Sequence, residues 1–338
     1  MARQQAAAGP AVYGEPMMST TGVADSGPGL RLSVVVVTHN SEAHVERCLG
    51  SVGEAARGWP HEVIVVDSAS SDATVARARA VCPTARTIAL PENRGFAAAL
   101  NAGIARASGH FIACCNADVV LGPESLARLC AALDGDERAA GAGPLLRDSE
   151  GRFTPSARGF PSLAHEAIHL TRLRRLWPGN PLCRRIDRPD LGPGQAGSCD
   201  FVVGAVFVTD RDRLRRVGTF DEDYFLYFEE TDWFARASRM GLHALFVPGA
   251  EAMHVGGGSS GPWSAAAPRY WRSQYRYHRR HGSAGTVVPL TLFQVATCLG
   301  RLAACALLPR SWRRPAAERL EVARAVLGHL AWLSGACR

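Results

Sequence analysis

The sequence predicts an α/β fold in which helices cover a mostly parallel central sheet. Three observations carry this expectation. Between residues 32 and 133, apolar runs alternate with segments of helical spacing in the order β-α-β-α-β-α-β-α. The first run, LSVVVVT, is apolar on both faces, as a strand covered on both sides must be. Polar clusters follow directly on the strand ends, where ligands of such sheets bind.

Taken in order, Leu32 to Thr38 is the first strand and Ser41 to Val52 has helical spacing. Glu62 to Val66 is the second strand and Asp72 to Val81 the second helix. Arg86 to Leu90, Phe96 to Ala107 and His110 to Cys115 read as strand, helix and strand. Pro123 to Leu133 is a fourth helix with proline at a favoured first position. The middle is less regular: a helix from Phe160 to Trp177, a Pro-, Gly- and Arg-rich loop from Pro178 to Gly197, and a strand from Asp200 to Thr209. Glu229 to Met240 reads as a helix, and Leu242 to Val247 as a short strand that ends before His254. Arg269 to His281 is a basic, aromatic helix.

The last segment differs in character. Thr286 to Leu308 is largely apolar, yet Thr291, Gln294, Thr297 and Arg301 fall in one stripe at about 100° per residue. That favours a helix lying in a membrane interface, or packed on protein, over one that spans. Ala316 to Leu333 is a second amphipathic segment. A helical cap on the domain is the alternative to membrane contact.

Of the 338 residues, 47% are hydrophobic and 20% charged, as in an ordinary globular protein. All the basic residues are arginine, and the net charge is +7. From Arg269 onward twelve Arg face only Glu318 and Glu321, a local charge of +10, so the remainder is near −3. Such a tail suits phosphate-bearing partners, either nucleic acid or an anionic membrane face. No aromatic-and-basic RNA motif, zinc-finger spacing or helix-turn-helix pattern accompanies it, which disfavours nucleic acid. The ten cysteines include no C-x-x-C pair, and Cys114 and Cys115 read as buried thiols in a reducing compartment, with a Cys183 to Cys199 disulfide left open. Met1 to Leu30 is rich in Ala, Gly, Pro and Ser without a continuous apolar core. It reads as a disordered leader, neither signal peptide nor membrane span.

Four clusters fall at strand ends: Thr38-His39-Asn40-Ser41, Asp67 to Asp72, Asn93-Arg94-Gly95-Phe96 with Asn101 beyond, and Asn116-Ala117-Asp118. Ser41, Ser71 and Asn93 are each suited to capping the following helix. Capping does not explain Asp67 and Asp118, which close apolar strands where an unpaired carboxylate is costly. A nicotinamide-linked dehydrogenase requires a G-x-G-x-x-G turn after the first strand, and Thr38-His39-Asn40-Ser41 stands there instead. Glu229, Glu230 and Asp232 open a helix, where acids complement the dipole and are held ionised.

In order and spacing, VVVVTHNS (Val34 to Ser41), VIVVDSASSD (Val63 to Asp72), NRGFAAALNAGI (Asn93 to Ile104), NADVVL (Asn116 to Leu121), GTFDEDYFLYFEETDWFAR (Gly218 to Arg236) and PGAEAMHVGGGS (Pro248 to Ser259) resemble glycosyltransferase family 2, and within it the rhamnosyltransferase-like members. The resemblance runs from about Leu32 to Ser259. It implies the GT-A fold, Rossmann-like with a mostly parallel central sheet covered by helices, plus a C-terminal helical extension. The implied organisation is a leader at 1–30 and a GT-A domain at 31–260, with a nucleotide-sugar half at 31–120 and an acceptor and catalytic half at 140–260. A basic amphipathic helical extension at 261–338 follows.

The resemblance also implies roles. Thr38 and Asn40 would line the nucleotide pocket, Asp67 would bond the pyrimidine base, and Arg94, Gly95 and Asn101 would lie near the donor. Asn116-Ala117-Asp118 matches a DXD-type site, so Asp118 would hold Mg²⁺ or Mn²⁺. His254, 24 residues after Glu230, falls where relatives complete the metal site. Hard cations choose oxygen ligands and bridge diphosphates, and an imidazole shifts preference towards Mn²⁺. Glu230 would be the general base, one methylene longer than the Asp of many relatives, within the acidic set Glu229, Glu230 and Asp232. Gly204, Asp221 and Glu222 would shape the acceptor side. Gly256 to Gly258 is either a linker or a loop closing over donor phosphate.

The implied enzyme is an inverting, metal-dependent glycosyltransferase of cell-wall or polysaccharide biosynthesis. It would move a sugar from a nucleoside-diphosphate donor, dTDP-rhamnose ahead of UDP-hexoses, to a hydroxyl of a glycan or polyprenol-linked acceptor. It would work in the cytoplasm, peripheral to the inner membrane face. The alternative is a catalytically idle relative that binds glycan or acts as a scaffold.

Overall fold

Alternation within the first strand organises the whole molecule. In the computed structural model β1 (Leu32–Thr38) is buried along its full length. Leu32, Val34 and Val36 point to one core, Val35 and Val37 to the other. The period of two in a strand produces this division. The first core is closed by α1 (Val45–Ala55) and α4 (Ser125–Asp134), through Cys48, Leu49, Val52, Leu126, Leu129 and Leu133. Helix α3 (Phe96–Ile104) closes the second through Ala97, Ala99 and Leu100. Burying each Val or Leu side chain there contributes roughly 1.5–3 kcal/mol.

The structure describes residues 31–164, 168, 177, 180–255, 263–282, 284–307, 323–324 and 326–332. The leader, most of the Phe160 to Trp177 helix, the Gly256 to Gly258 run and much of Ala316 to Leu333 lie outside the described residues.

The remaining elements of the first half are β2 (His61–Asp67), α2 (Thr74–Val81), β3 (Arg86–Ala89), β4 (Phe111–Asn116) and β5 (Val119–Leu121). Next come β6 (Ala139–Arg147), β7 (Phe153–Thr154), β8 (Ala157–Arg158), α5 (Pro181–Asp187), β9 (Gly197–Cys199), β10 (Phe201–Val202) and β11 (Val206–Asp210). Then follow α6 (Arg211–Val217), α7 (Glu229–Ser238), β12 (His243–His254), α8 (Trp263–His281) and α9 (Ala284–Leu307). The main sheet runs β3-β2-β1-β4-β11-β6-β12-β5. Pairing is parallel through β3-β2-β1-β4 and again between β6 and β12, with β11 antiparallel between β4 and β6. Register places Thr38 beside Asp67 and Val37 beside Asn116, so three polar clusters emerge along one edge.

Several expectations need correction. Ala139–Arg147 is a central strand, although its Ala- and Gly-rich sequence lacks β-branched residues. Small residues are what the site admits: a Cβ on Gly143 would stand 2.7 Å from the Val202 side chain. The strand expected over Asp200 to Thr209 breaks at Val203-Gly204-Ala205 into β10 and β11. The strand expected to stop at Val247 continues to His254 through a register shift between Val247 and Glu251. None of Ser41, Ser71 and Asn93 caps its helix; His44, Ala73 and Gly95 stand at those N-caps, without side-chain capping bonds. Cys183 and Cys199 are free thiols rather than a disulfide, and Cys114 and Cys115 are fully buried.

Helix α9 turns Gln294 of its polar stripe inward. Gln294 is buried and donates to Gln274 Oε1 at 2.9 Å and to the Trp271 carbonyl at 3.3 Å. Leu290 and Cys298 are buried with it, while Val288, Leu292 and Leu299 are 63%, 66% and 54% exposed. No helix among the described residues is long and apolar enough to cross a membrane.

Candidate active site

A crevice of about 480 Å³ opens along the edge where β1, β2 and β4 end. That volume lies within the range of small-molecule sites. Thr38, His39, Ser68, Asn93, Gly95, Asn116 and Asp118 line one side, and Gly204, Phe225, Tyr227, Glu229 and Glu230 another. His254 and Arg269 complete the wall.

The nucleotide-side residues divide into two sets. Thr38 lines the crevice and donates to Asp67 Oδ1 at 2.8 Å. Asp67 also accepts from the Ser70 backbone at 2.9 Å and its hydroxyl at 2.6 Å. It is buried and lies behind the lining, where it locks the ends of β1 and β2 together. Asn40 is exposed at φ 47°, accepts from the Ser71 backbone at 2.9 Å, and likewise stands off the crevice.

Arg94 and Asn101 also face protein. Arg94 meets Glu222 at 3.1 Å, and Asn101 donates to the Phe220 carbonyl at 2.8 Å and to Glu222 at 3.1 Å. Asp221 pairs with Arg276 at 3.2 Å and with Arg280. Asp221 and Glu222, expected near the acceptor, therefore anchor their loop to α3 and α8. Gly95 does reach the crevice, and its backbone freedom serves the protein: at φ 96° its Cβ would stand 2.3 Å from the Phe225 carbonyl oxygen. Phe96 N donates to that same oxygen at 2.8 Å.

Asp118 and His254 come together through the long β12. Its final residue pairs with Val119, which sets His254 Nε2 3.3 Å from Asp118 Oδ1. The approach lacks hydrogen-bond alignment, so among the described residues Oδ1 is a buried oxygen without a donor. Burial presses the Asp118 carboxyl upward, but the neighbouring His254 imidazole, a backbone N–H and His44 together hold the group below its ordinary range. An ionised, orphaned carboxylate oxygen facing an imidazole nitrogen fits a divalent cation, which would satisfy both. Among the described residues no cluster of three or more His, Cys, Asp or Glu surrounds the spot, so further ligands would come from elsewhere. Asn116, the first residue of the DXD-like trio, lines the crevice beside them.

The acids at the head of α7 stand on a strained turn. Tyr227 and Phe228 take φ values of 70° and 68°, a conformation that costs on the order of 1–3 kcal/mol for each bulky residue. Helix α8 holds this turn: Ser273 donates to the Leu226 carbonyl at 2.8 Å, and Tyr270 and Tyr277 pack on Phe228 at 5.3 and 5.5 Å. The turn aims Glu229 and Glu230 into the crevice. Glu230 Oε1 accepts from Gly204 N at 3.3 Å. A Cβ at position 204 would lie 3.2 Å from Glu230 Cγ and Cδ, so the break between β10 and β11 makes room for the longer acid. Glu229 is 6% exposed, and its Oε2 has no partner among the described residues.

Helix-start electrostatics suggested ionised acids here, but burial wins. It pushes Glu230 above the ordinary range and Glu229 well above it, the latter further raised by the charge of Glu230. A base raised in this way is better matched to neutral pH.

Asp232 belongs to a different structure. It is fully buried and turned from the crevice, bonded to His281 at 2.7 Å and Arg236 at 2.9 Å. Burial would raise its carboxyl, but these partners hold it below the ordinary range. His39, Asn93, Phe225, Tyr227 and Arg269 also line the crevice without having been singled out as site residues. His39 and Asn93 were legible as members of strand-end clusters; Arg269 was legible only as the first residue of a basic, aromatic helix, with nothing to place it at the crevice.

Residues 33–204 match the family described as Glycosyl transferase family 2. An N-acetylglucosaminyl-diphospho-decaprenol L-rhamnosyltransferase of Mycobacterium tuberculosis is 32% identical over 241 residues, covering 68% of this chain and 78% of its own. The chain belongs to glycosyltransferase family 2. This glycosyltransferase is of the rhamnosyltransferase-like kind, a hexosyltransferase. Its fold matches a mannosyltransferase from Pyrobaculum calidifontis solved with GDP-mannose and Mn²⁺, at a TM-score of 0.54, 18% identity, and coverage of 89% of this chain and 87% of that one. It also matches the Mycobacterium tuberculosis glucosyl-3-phosphoglycerate synthase, solved with Mn²⁺, UDP and glucosyl-3-phosphoglycerate. There the TM-score is 0.51 at 22% identity, covering 75% and 81% of the two chains.

Proposed function

We propose that this glycosyltransferase transfers a sugar, with inversion, from a nucleoside-diphosphate donor to a hydroxyl of a polyprenol-linked glycan in cell-wall or polysaccharide synthesis. One observation carries the reading: an orphaned Asp118 oxygen facing His254 Nε2 in the same crevice as Glu230. dTDP-rhamnose is the favoured donor, ahead of UDP-hexoses, because the curated relative from Mycobacterium tuberculosis is named as a rhamnosyltransferase. The acceptor class follows from the same name, which specifies a decaprenol diphosphate.

Asp118 Oδ1 and His254 Nε2 would hold Mn²⁺ or Mg²⁺, an oxygen and nitrogen set that suits either. When bound, the cation neutralises charge growing on the departing diphosphate. Glu230 takes the proton from the acceptor hydroxyl as that oxygen attacks the anomeric carbon and the bond to the diphosphate breaks. The Gly204 N–H holds Glu230 in position. Thr38, Asn116 and Gly95 shape the donor side of the crevice, while Asn40, Asp67, Arg94 and Asn101 support it from behind. Asp221 and Glu222 fix the loop that leads into the catalytic helix.

The enzyme would work at the inner membrane face. Support comes from α9, which buries its glutamine and exposes Val288, Leu292 and Leu299, the reverse of a water-facing helix. The arginine excess after residue 269 suits anionic headgroups.

The test is turnover of dTDP-rhamnose and UDP-hexoses with and without Mn²⁺, in wild type and Asp118→Asn. Metal-dependent transfer that falls at least about a hundredfold in the variant is expected, since the carboxylate holds the cation. Equal metal response in both proteins refutes the metal site. Absence of any nucleotide-sugar binding favours an idle, glycan-binding relative.

A further inference from the structure

Resting on the nucleoside-diphosphate reading above, we propose that Arg269, from the first helix after the motifs that carry the family resemblance, grips a diphosphate at the crevice. Among the described lining residues Arg269 is the only arginine, set against Asp118, Glu229 and Glu230. Even with a divalent cation balancing part of that charge, a ligand bearing two further negative charges needs a fixed positive partner here. A guanidinium offers five N–H donors in a planar fork that matches phosphate oxygens.

The contrast along α8 argues that this position is kept free. Arg269, Arg276 and Arg280 recur at helical spacing on one side of the helix. Arg276 is paired with Asp221 and Asp223, and Arg280 with Asp221 and Asp232. Arg269 has no acidic partner among the described residues. Among the described residues its guanidinium sits over the Phe225 ring, 4.8 Å from the ring centroid. Stacking of this kind orients the plane and leaves the N–H edge open. Phe225 is itself fixed by its backbone bond from Phe96 and by its close approach to Gly95. The arginine is thus aimed by the same contacts that shape the donor side.

The diphosphate belongs either to the donor or to the lipid-linked acceptor, and the experiment separates them. Wild type, Arg269→Ala, Arg269→Lys and the control Arg272→Ala are compared by calorimetry with dTDP, UDP and their monophosphates in the presence of Mn²⁺. In parallel, KM is measured for a short-chain prenyl-diphosphate sugar. Arg269 is exposed, so the alanine variant is expected to melt with wild type.

A loss of at least about tenfold in diphosphate affinity, with a smaller change for the monophosphates and partial recovery in Arg269→Lys, assigns the donor. Unchanged nucleotide binding with a KM for the prenyl-diphosphate sugar raised about tenfold assigns the acceptor. If Arg269→Ala alters neither, or if Arg272→Ala loses as much, the proposal is overturned. Wild-type protein that binds no nucleoside diphosphate overturns the donor reading together with this one, whereas intact nucleotide binding together with an unchanged KM for the prenyl-diphosphate sugar in Arg269→Ala overturns this one alone.

Discussion

Replacing Glu230 by glutamine should separate catalysis from stability in opposite directions. Glutamine keeps the length and volume that fill the space beside Gly204, and its amide oxygen can still accept from Gly204 N, now at 3.3 Å from Oε1. The donor side of the crevice is untouched, so KM for the donor should change less than about threefold, the effect expected when ground-state contacts survive. On the proposed mechanism, what disappears is the group that accepts the acceptor's proton. Losing a positioned general base costs roughly 10²–10⁴-fold in kcat.

Stability moves the other way because burial raises the Glu230 carboxyl. An acid whose folded pKa exceeds its unfolded value contributes stability at low pH and loses it as pH rises through the folded pKa. Glutamine has no proton to lose. It also relieves Glu229, which sits well above its ordinary range partly because of the Glu230 charge. The Tm of Glu230→Gln should therefore draw ahead of wild type as pH climbs above the ordinary carboxylate range near about 4.3. Steady-state transfer kinetics and thermal melts at a series of pH values read both effects. A kcat within threefold of wild type refutes the base. A Tm difference that stays flat with pH refutes the burial argument.

Two further outcomes follow from residues outside the chemistry. Asp232→Asn should cost roughly 3 kcal/mol, the lower end for removing one partner of a buried ion pair, since Arg236 and Arg280 retain some exposure. Because Asp232 is held below its ordinary range, its contribution is present above the unfolded pKa and is lost as pH falls through the folded one; the stability gap to wild type should close in acid. An unchanged Tm with kcat down more than a hundredfold would give Asp232 a direct chemical part instead. For α9, wild type should float with anionic vesicles, and a Val288→Gln, Leu292→Gln, Leu299→Gln triple variant should remain in solution, each change removing up to roughly 1.5–3 kcal/mol of apolar burial. Equal flotation of both proteins, or dimerisation without flotation, sinks the membrane contact.

How much of this was readable in the chain depends on whether local pattern or distant packing decided the outcome. The strands β1, β2 and β4 were legible because burial on both faces demands long apolar runs, and their register carried the polar clusters to one edge. Strand β6 was not. A position between β11 and β12 where Gly143 has no room for a methyl selects small residues, and small residues carry no strand propensity. The site shows the same split. Asp118, His254 and Glu230 occupy motif positions and do share a crevice, although His254 reaches Asp118 only because β12 runs on past the bend at Val247 to pair with β5. Asp232 lies two residues from Glu230, yet on a helix two residues are about 200° apart, so it faces away. There it meets His281, 49 positions later. Sequence adjacency suggested shared chemistry where helix geometry imposed a division of labour. Glu229 and Glu230 face the crevice, and Asp232 anchors the helix that presents them. That anchor comes from α8, as do the aromatic support under the strained Tyr227-Phe228 turn and the arginine at the crevice wall. The helix beyond the recognisable motifs therefore helps to build the candidate site.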